Sequence, residues 1–121
     1  MKLTFHRLSQ ANLSRAKRWH KGGLDEWSVS DWAVAMAGEA GEACNAIKKL
    51  RRVEENIANL SESADRQLST RAEAIAAIGA ELADTAIYLD LLAQRLGLNL
   101  AEEIIAKFNK VSERYEFPER L

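Results

Sequence analysis

Apolar and small residues recur at three-to-four-residue spacing through most of the chain, and the polar breaks between those runs divide it into four helices. The stretch FHRLSQANLSRAKRWH carries Phe5, Leu8, Leu13, Ala16 and Trp19 at mostly that spacing, which predicts an amphipathic helix over about 5–20. KGGLDEWS then ends it, because Gly22 and Gly23 are poor helix interiors. With Ser30 as N-cap, the alanine-rich run from Asp31 predicts a long second helix over about 31–53, with acid near its start and base near its end as the helix dipole favours. A third helix is expected over about 70–96, closed by Gly97, and a fourth over about 100–115, with Asn99 as N-cap and Pro118 beyond its end. Between the second and third helices, EENIANLSESADRQLS has no apolar stripe wide enough to anchor it, so about 54–69 reads as a mobile connection with room for a helical turn. No strand alternation or repeat stands out. The expectation is one all-α, four-helix-bundle-like domain over 1–121.

Two acidic pairs interrupt the apolar pattern. Between Ala33 and Ile47 the only charged residues are Glu39 and Glu42; between Ala74 and Leu89 they are Glu81 and Asp84. Each pair is spaced i, i+3, which stacks its carboxylates on one helix face about one turn apart. One such pair is ordinary on a solvated helix. Two of them, each alone in an apolar helix, suggest that both notches face inward, where four converging carboxylates must be protonated or neutralised by cations. All-oxygen ligation favours Mg²⁺ or Mn²⁺ over zinc, which prefers nitrogen and sulfur. A ferritin-like di-iron centre would need Glu-x-x-His, and neither His6 nor His20 follows a glutamate by three. Gly38, Gly41 and Gly79 lie beside the pairs, where a missing side chain would let facing helices approach.

Magnesium held by carboxylates keeps positions for water and for phosphate oxygens, so the charge around the acids bears on the substrate. Lys48, Lys49, Arg51 and Arg52 follow the first pair, and Lys107, Lys110 and Arg114 lie on the fourth helix. They serve either a bound phosphate or simply a solvated face and a helix C-terminus. Trp19, Trp27 and Trp32 fall close together, Trp32 on the face of Glu39 and Tyr88 on the face of Asp84. Such rings either stack on a base or fill the core.

Composition narrows the class further. At 121 residues, 47% hydrophobic and 29% charged with one proline, the chain is long enough for a single core and unlike a disordered segment. A formal net charge of −1 argues against a general, stable nucleic-acid binder and leaves phosphate binding local. Cys44, the single cysteine, cannot form an internal disulfide, and no long apolar run or signal-peptide pattern is present, so a cytoplasmic protein without membrane attachment is expected.

With the acids in place, Glu39-x-x-Glu42 followed by Glu81-x-x-Asp84 on the next long helix resembles the MazG-like, all-α nucleoside triphosphate pyrophosphohydrolases, the superfamily that includes dUTP- and dCTP-hydrolysing members. ELADTAIYLDLLAQR is similar to their third-helix segment, with Tyr88 and Arg95 at matching positions. AKFNKVSERYEFP is similar to their closing helix, where Lys107, Arg114 and Tyr115 match residues that help bind triphosphate. Val111 stands where some pyrimidine-specific relatives have asparagine, and WHKGGLDEWSVSDWAVAMAGEAGEACNAIKKLRR looks closest to small, phage-type members acting on dGTP or dATP.

The resemblance implies a four-helix MazG fold and hydrolysis of a (deoxy)nucleoside triphosphate to monophosphate and pyrophosphate, leaning to purine substrates, with a dCTP- or dUTP-type activity as the alternative. It implies two or more Mg²⁺ or Mn²⁺ ions on Glu39, Glu42, Glu81 and Asp84, with Glu42 or Glu39 acting on the attacking water. Lys49, Lys107, Arg114 and Arg95 would hold phosphates, and Trp19, Trp32, Asn45 and Tyr88 the nucleoside. It also implies self-association to a dimer or tetramer. A helical interaction module, or a nucleotide binder without turnover, is the rival that the same acids allow.

Overall fold

The computed structural model describes residues 1–57, 59–60, 66–67 and 70–121 of the chain. It is all-α, as the sequence predicts: α1 is Phe5–Trp19, α2 is Val29–Glu54, α3 is Arg71–Arg95 and α4 is Leu100–Arg114. A short 3₁₀ turn, Gly23–Glu26, joins α1 to α2. In the connection between α2 and α3, Asn59–Leu60 (β1) pairs antiparallel with Arg66–Gln67 (β2), Asn59 opposite Gln67 and Leu60 opposite Arg66. A two-residue ladder leaves no alternation for a sequence pattern to carry. The expected mobile connection over 54–69 falls in part on residues 58, 61–65 and 68–69, outside the described residues.

Capping chemistry sets the helix limits. Thr4 starts α1, its hydroxyl accepting from the Arg7 N–H at 3.2 Å. The start of α2 corrects the expectation of Ser30: Ser28 Oγ accepts from the Asp31 N–H at 3.0 Å, and Asp31 Oδ2 accepts from the Ser28 N–H at 2.9 Å. This reciprocal capping box moves the first turn back to Val29, and the two Ser28 bonds hold the Asp31 carboxyl below its ordinary range. Thr70 and Glu73 repeat the device at the start of α3. α3 ends where Gly97 takes a left-handed φ of 71°, letting the Leu98 N–H reach the Ala93 carbonyl at 2.9 Å. Asn99 caps α4 as expected, accepting from the Glu102 N–H at 3.4 Å.

The chain divides into two compact units. The first comprises Met1–Trp32 and Leu89–Leu121, and its core contains Ala16, Trp32, Leu91 and Ala93. Trp32 is 1% exposed, donates its indole N–H to the Leu24 carbonyl at 2.9 Å and packs against the rings of His20 and Trp27. Arg95 fixes the same turn, its Nε donating to the Trp27 carbonyl at 2.9 Å and its guanidinium 3.7 Å from Asp25. Also within this unit, Asp90, 1% exposed, accepts from Ser9 Oγ at 2.6 Å and from Asn12 Nδ2 and Gln94 Nε2 at 2.8 Å each. A buried carboxylate needs such donors, and these three bind α1 to α3.

The second unit, Ala33–Tyr88, holds most of α2 and α3. Its buried apolar side chains are Ala43, Ala46 and Ala74 among the described residues. The acids lie on the same two helices as these alanines.

Candidate metal centre

The i, i+3 spacing places Glu39 and Glu42 on one face of α2, and Glu81 and Asp84 on one face of α3. Both helices line one cleft, Glu42 and Lys49 from α2 and Ala74 and Glu81 from α3. Glu39, Glu81 and Asp84 each bring a carboxylate oxygen within 4.8 Å of the others. Glu42 completes the group, its carboxyl within hydrogen-bonding reach of both Glu39 and Glu81.

Electrostatics follow from that crowding. The Glu39 carboxyl is raised above its ordinary pKa, first by desolvation and then by the charges of Glu42, Asp84 and Glu81. The Glu81 carboxyl is also raised, first by desolvation and then by Glu42 and Asp84, with Lys49 acting in the opposite direction. Glu81 Oε2 is buried and finds no hydrogen-bond partner among the described residues. Two carboxyls can share a hydrogen bond only if one carries a proton, so the cluster calls for protons or cations. An orphaned, buried oxygen within an all-carboxylate group suits a hard divalent cation, and the donors present fit Mg²⁺ or Mn²⁺.

A cleft of about 440 Å³ opens from the acids, lined by Glu42, Asn45, Ala46, Lys49, Glu73, Ala74, Ala77 and Glu81. That volume lies in the range of small-molecule sites. The alanines provide the room, Asn45 offers donor and acceptor groups, and Lys49 is the cation at the wall. Glu73 is a wall residue that the sequence does not announce, because its only local signal, Thr70-x-x-Glu73, is that of a helix cap.

The remaining candidates fall as follows. Tyr88 is half-buried at the end of the second unit. Lys107 and Arg114 are exposed on α4 in the first unit. Trp19, 59% exposed, lies under the Arg15 guanidinium, 4.9 Å from its ring centre. One assignment is corrected: Trp32 is a core residue with no ring face open to a base. Arg95, its side chain 26% exposed, donates from Nε to the Trp27 carbonyl and lies 3.7 Å from Asp25. The expected role of the glycines changes too, since a Cβ on Gly38, Gly41 or Gly79 would meet nothing within 4 Å. The buried side chains of this unit are alanines instead.

No family model, curated protein or solved structure matches the chain. Among the described residues, no helix is long and apolar enough to cross a membrane.

Proposed function

We propose that the chain is a MazG-like pyrophosphohydrolase, converting a (deoxy)nucleoside triphosphate and water to the monophosphate and pyrophosphate. The observation that carries this reading is the meeting of two acidic pairs from α2 and α3, with Glu81 Oε2 buried and unpartnered beside a cleft of nucleotide-accommodating size. Glu39, Glu42, Glu81 and Asp84 would hold Mg²⁺ or Mn²⁺, which when bound supplies positive charge to the phosphate oxygens.

Within that reading the side chains have separable tasks. Glu42, exposed and touching both helices' acids, accepts a proton from the water that attacks the α-phosphorus. Lys49 donates to the outer phosphates and stabilises the departing pyrophosphate. Asn45 faces the base or sugar. The sequence resemblance leans to purine deoxynucleotides, with dCTP or dUTP as the alternative. Self-association to a dimer or tetramer belongs to the same proposal, supported by Val34 and Leu82, whose apolar side chains are 72% and 54% exposed.

The test is a panel of NTPs and dNTPs with Mg²⁺ or Mn²⁺, resolving pyrophosphate from orthophosphate. Pyrophosphate release that falls about 10²- to 10⁴-fold in Glu42→Gln is the expected result. A wild type as inactive as Glu42→Gln on every member overturns the catalytic reading, and nucleotide binding without product would assign the site to a binder.

A further inference from the structure

The formal charge of −1 hides an asymmetry: residues 1–24 contain Lys2, Arg7, Arg15, Lys17, Arg18 and Lys21 and no acid, a charge of +6, which leaves −7 on the rest of the chain. Among the described residues none of these six cations makes an ion pair. The nearest acids in sequence are engaged elsewhere, Asp25 with Arg95 and Glu26 with His20 and the Gly22 N–H. Arg7 bonds the Lys2 carbonyl and the Met1 sulfur, neither of which neutralises it.

Helical geometry gathers the charge. α1 turns Ser9, Asn12 and Ala16 inward, Ser9 and Asn12 onto Asp90. Arg7, Gln10, Ala11, Ser14, Lys17 and Arg18 therefore share the opposite, exposed face. We propose that this outward face of α1, continued by Lys21, docks on the phosphate backbone of nucleic acid without reading its sequence.

Three observations favour that partner. Arg7 and Arg18 are separated by about 16 Å of helix, too far to clamp one phosphate group but suited to successive phosphates of a strand. Gln10 and Ser14 lie between the cations and offer neutral donors to the same oxygens. A lipid surface would need large apolar residues on the docking face, whereas that face holds none: Phe5 shares the face of Ser9 and Asn12, and Leu13 and Trp19 lie off the cationic face. The contact is electrostatic, so it is weak at physiological salt and steep in its salt dependence.

The experiment uses the full chain in EDTA, so the outcome is independent of the acidic centre and of turnover. Fluorescence anisotropy with a labelled duplex of about 20 base pairs at about 50 mM salt is expected to give binding with a log–log salt slope of about −3 to −5. Arg7→Gln/Lys17→Gln/Arg18→Gln should flatten that slope by about 2 to 3 and weaken binding at least about tenfold. Its circular dichroism and melting should match wild type. The charge-preserving Lys17→Arg/Arg18→Lys should bind as wild type, and so should Lys48→Gln/Arg52→Gln on α2. The proposal is overturned by no binding at low salt, by binding that the triple substitution leaves intact, or by binding to phosphatidylserine vesicles and not to the duplex.

Discussion

Glu42 of α2 and Glu81 of α3 meet carboxyl to carboxyl, and the second oxygen of Glu81 is buried beside that contact with no partner among the described residues. A protein holds such an arrangement at a cost in stability, because desolvation and mutual repulsion both oppose the charged forms. A divalent cation removes both penalties together, which makes the cluster's response to metal the most direct property to measure.

Thermal unfolding at pH 7.5 should shift upward on adding Mg²⁺ or Mn²⁺. At about one hundred times the dissociation constant, linkage contributes about 2.7 kcal/mol, equivalent to several degrees for a chain of this size. Glu39→Gln/Glu81→Gln should melt higher than wild type in EDTA and lose the metal-induced shift. A shift of equal size in both proteins would show that the ions act elsewhere.

The pH dependence in EDTA has a definite sign. Glu39 and Glu81 have folded pKa values above the ordinary 4.5, so the folded chain binds these protons more readily than the unfolded chain. Their destabilising contribution is therefore fully present above the folded values, falls as pH drops through them and is gone below about 4.5. Wild type should approach the melting temperature of Glu39→Gln/Glu81→Gln as pH falls from neutral to below about 4.5. A constant gap between the two across that window would contradict the raised values.

Asp90 lies in the first compact unit and the titrating acids in the second, so it gives a separate stability test. Asp90→Asn turns an amide N–H₂ toward the donors of Ser9, Asn12 or Gln94, leaving buried donors facing one another. A loss of about 2 to 4 kcal/mol is expected, read as a lower urea midpoint at unchanged slope. Ser9→Ala removes one bond to the carboxylate and should cost about 1.5 to 3 kcal/mol. Neutral effects would mean that the hub contributes nothing to joining α1 and α3.

How much of this is legible in the sequence depends on how local each signal is. The four helices, the Asn99 cap and the Gly97 stop follow from periodicity and from single-residue conformational preferences, and they stand within a residue or two of where the sequence puts them. The acids are legible because charge in an apolar helix is conspicuous whatever lies opposite. The Asp90 hub is not, since Ser9, Asn12, Asp90 and Gln94 are each ordinary until the fold joins residues about eighty positions apart. Helix face puts Trp32 in the site and the family resemblance puts Arg95 there, but the turn between α1 and α2 accepts hydrogen bonds from the buried Trp32 indole N–H and from Arg95 Nε. Ser30 loses to Ser28 because only Ser28 has an acid three residues on, Asp31, to return the bond.

The glycines allow a final test that separates the chain's own packing from contacts with another chain. Gly41 and Gly79 sit inside long helices, and a methyl group added to either would meet nothing within 4 Å, so neither is required for α2 and α3 to approach. Glycine in a helix interior costs about 0.5 to 1 kcal/mol relative to alanine, chiefly through backbone entropy. Gly41→Ala and Gly79→Ala should therefore each raise the unfolding midpoint by about that amount in the dissociated chain, measured by urea denaturation at low protein concentration. If either substitution instead lowers stability as protein concentration rises, the glycine lies against a second copy, and self-association runs across the acidic face.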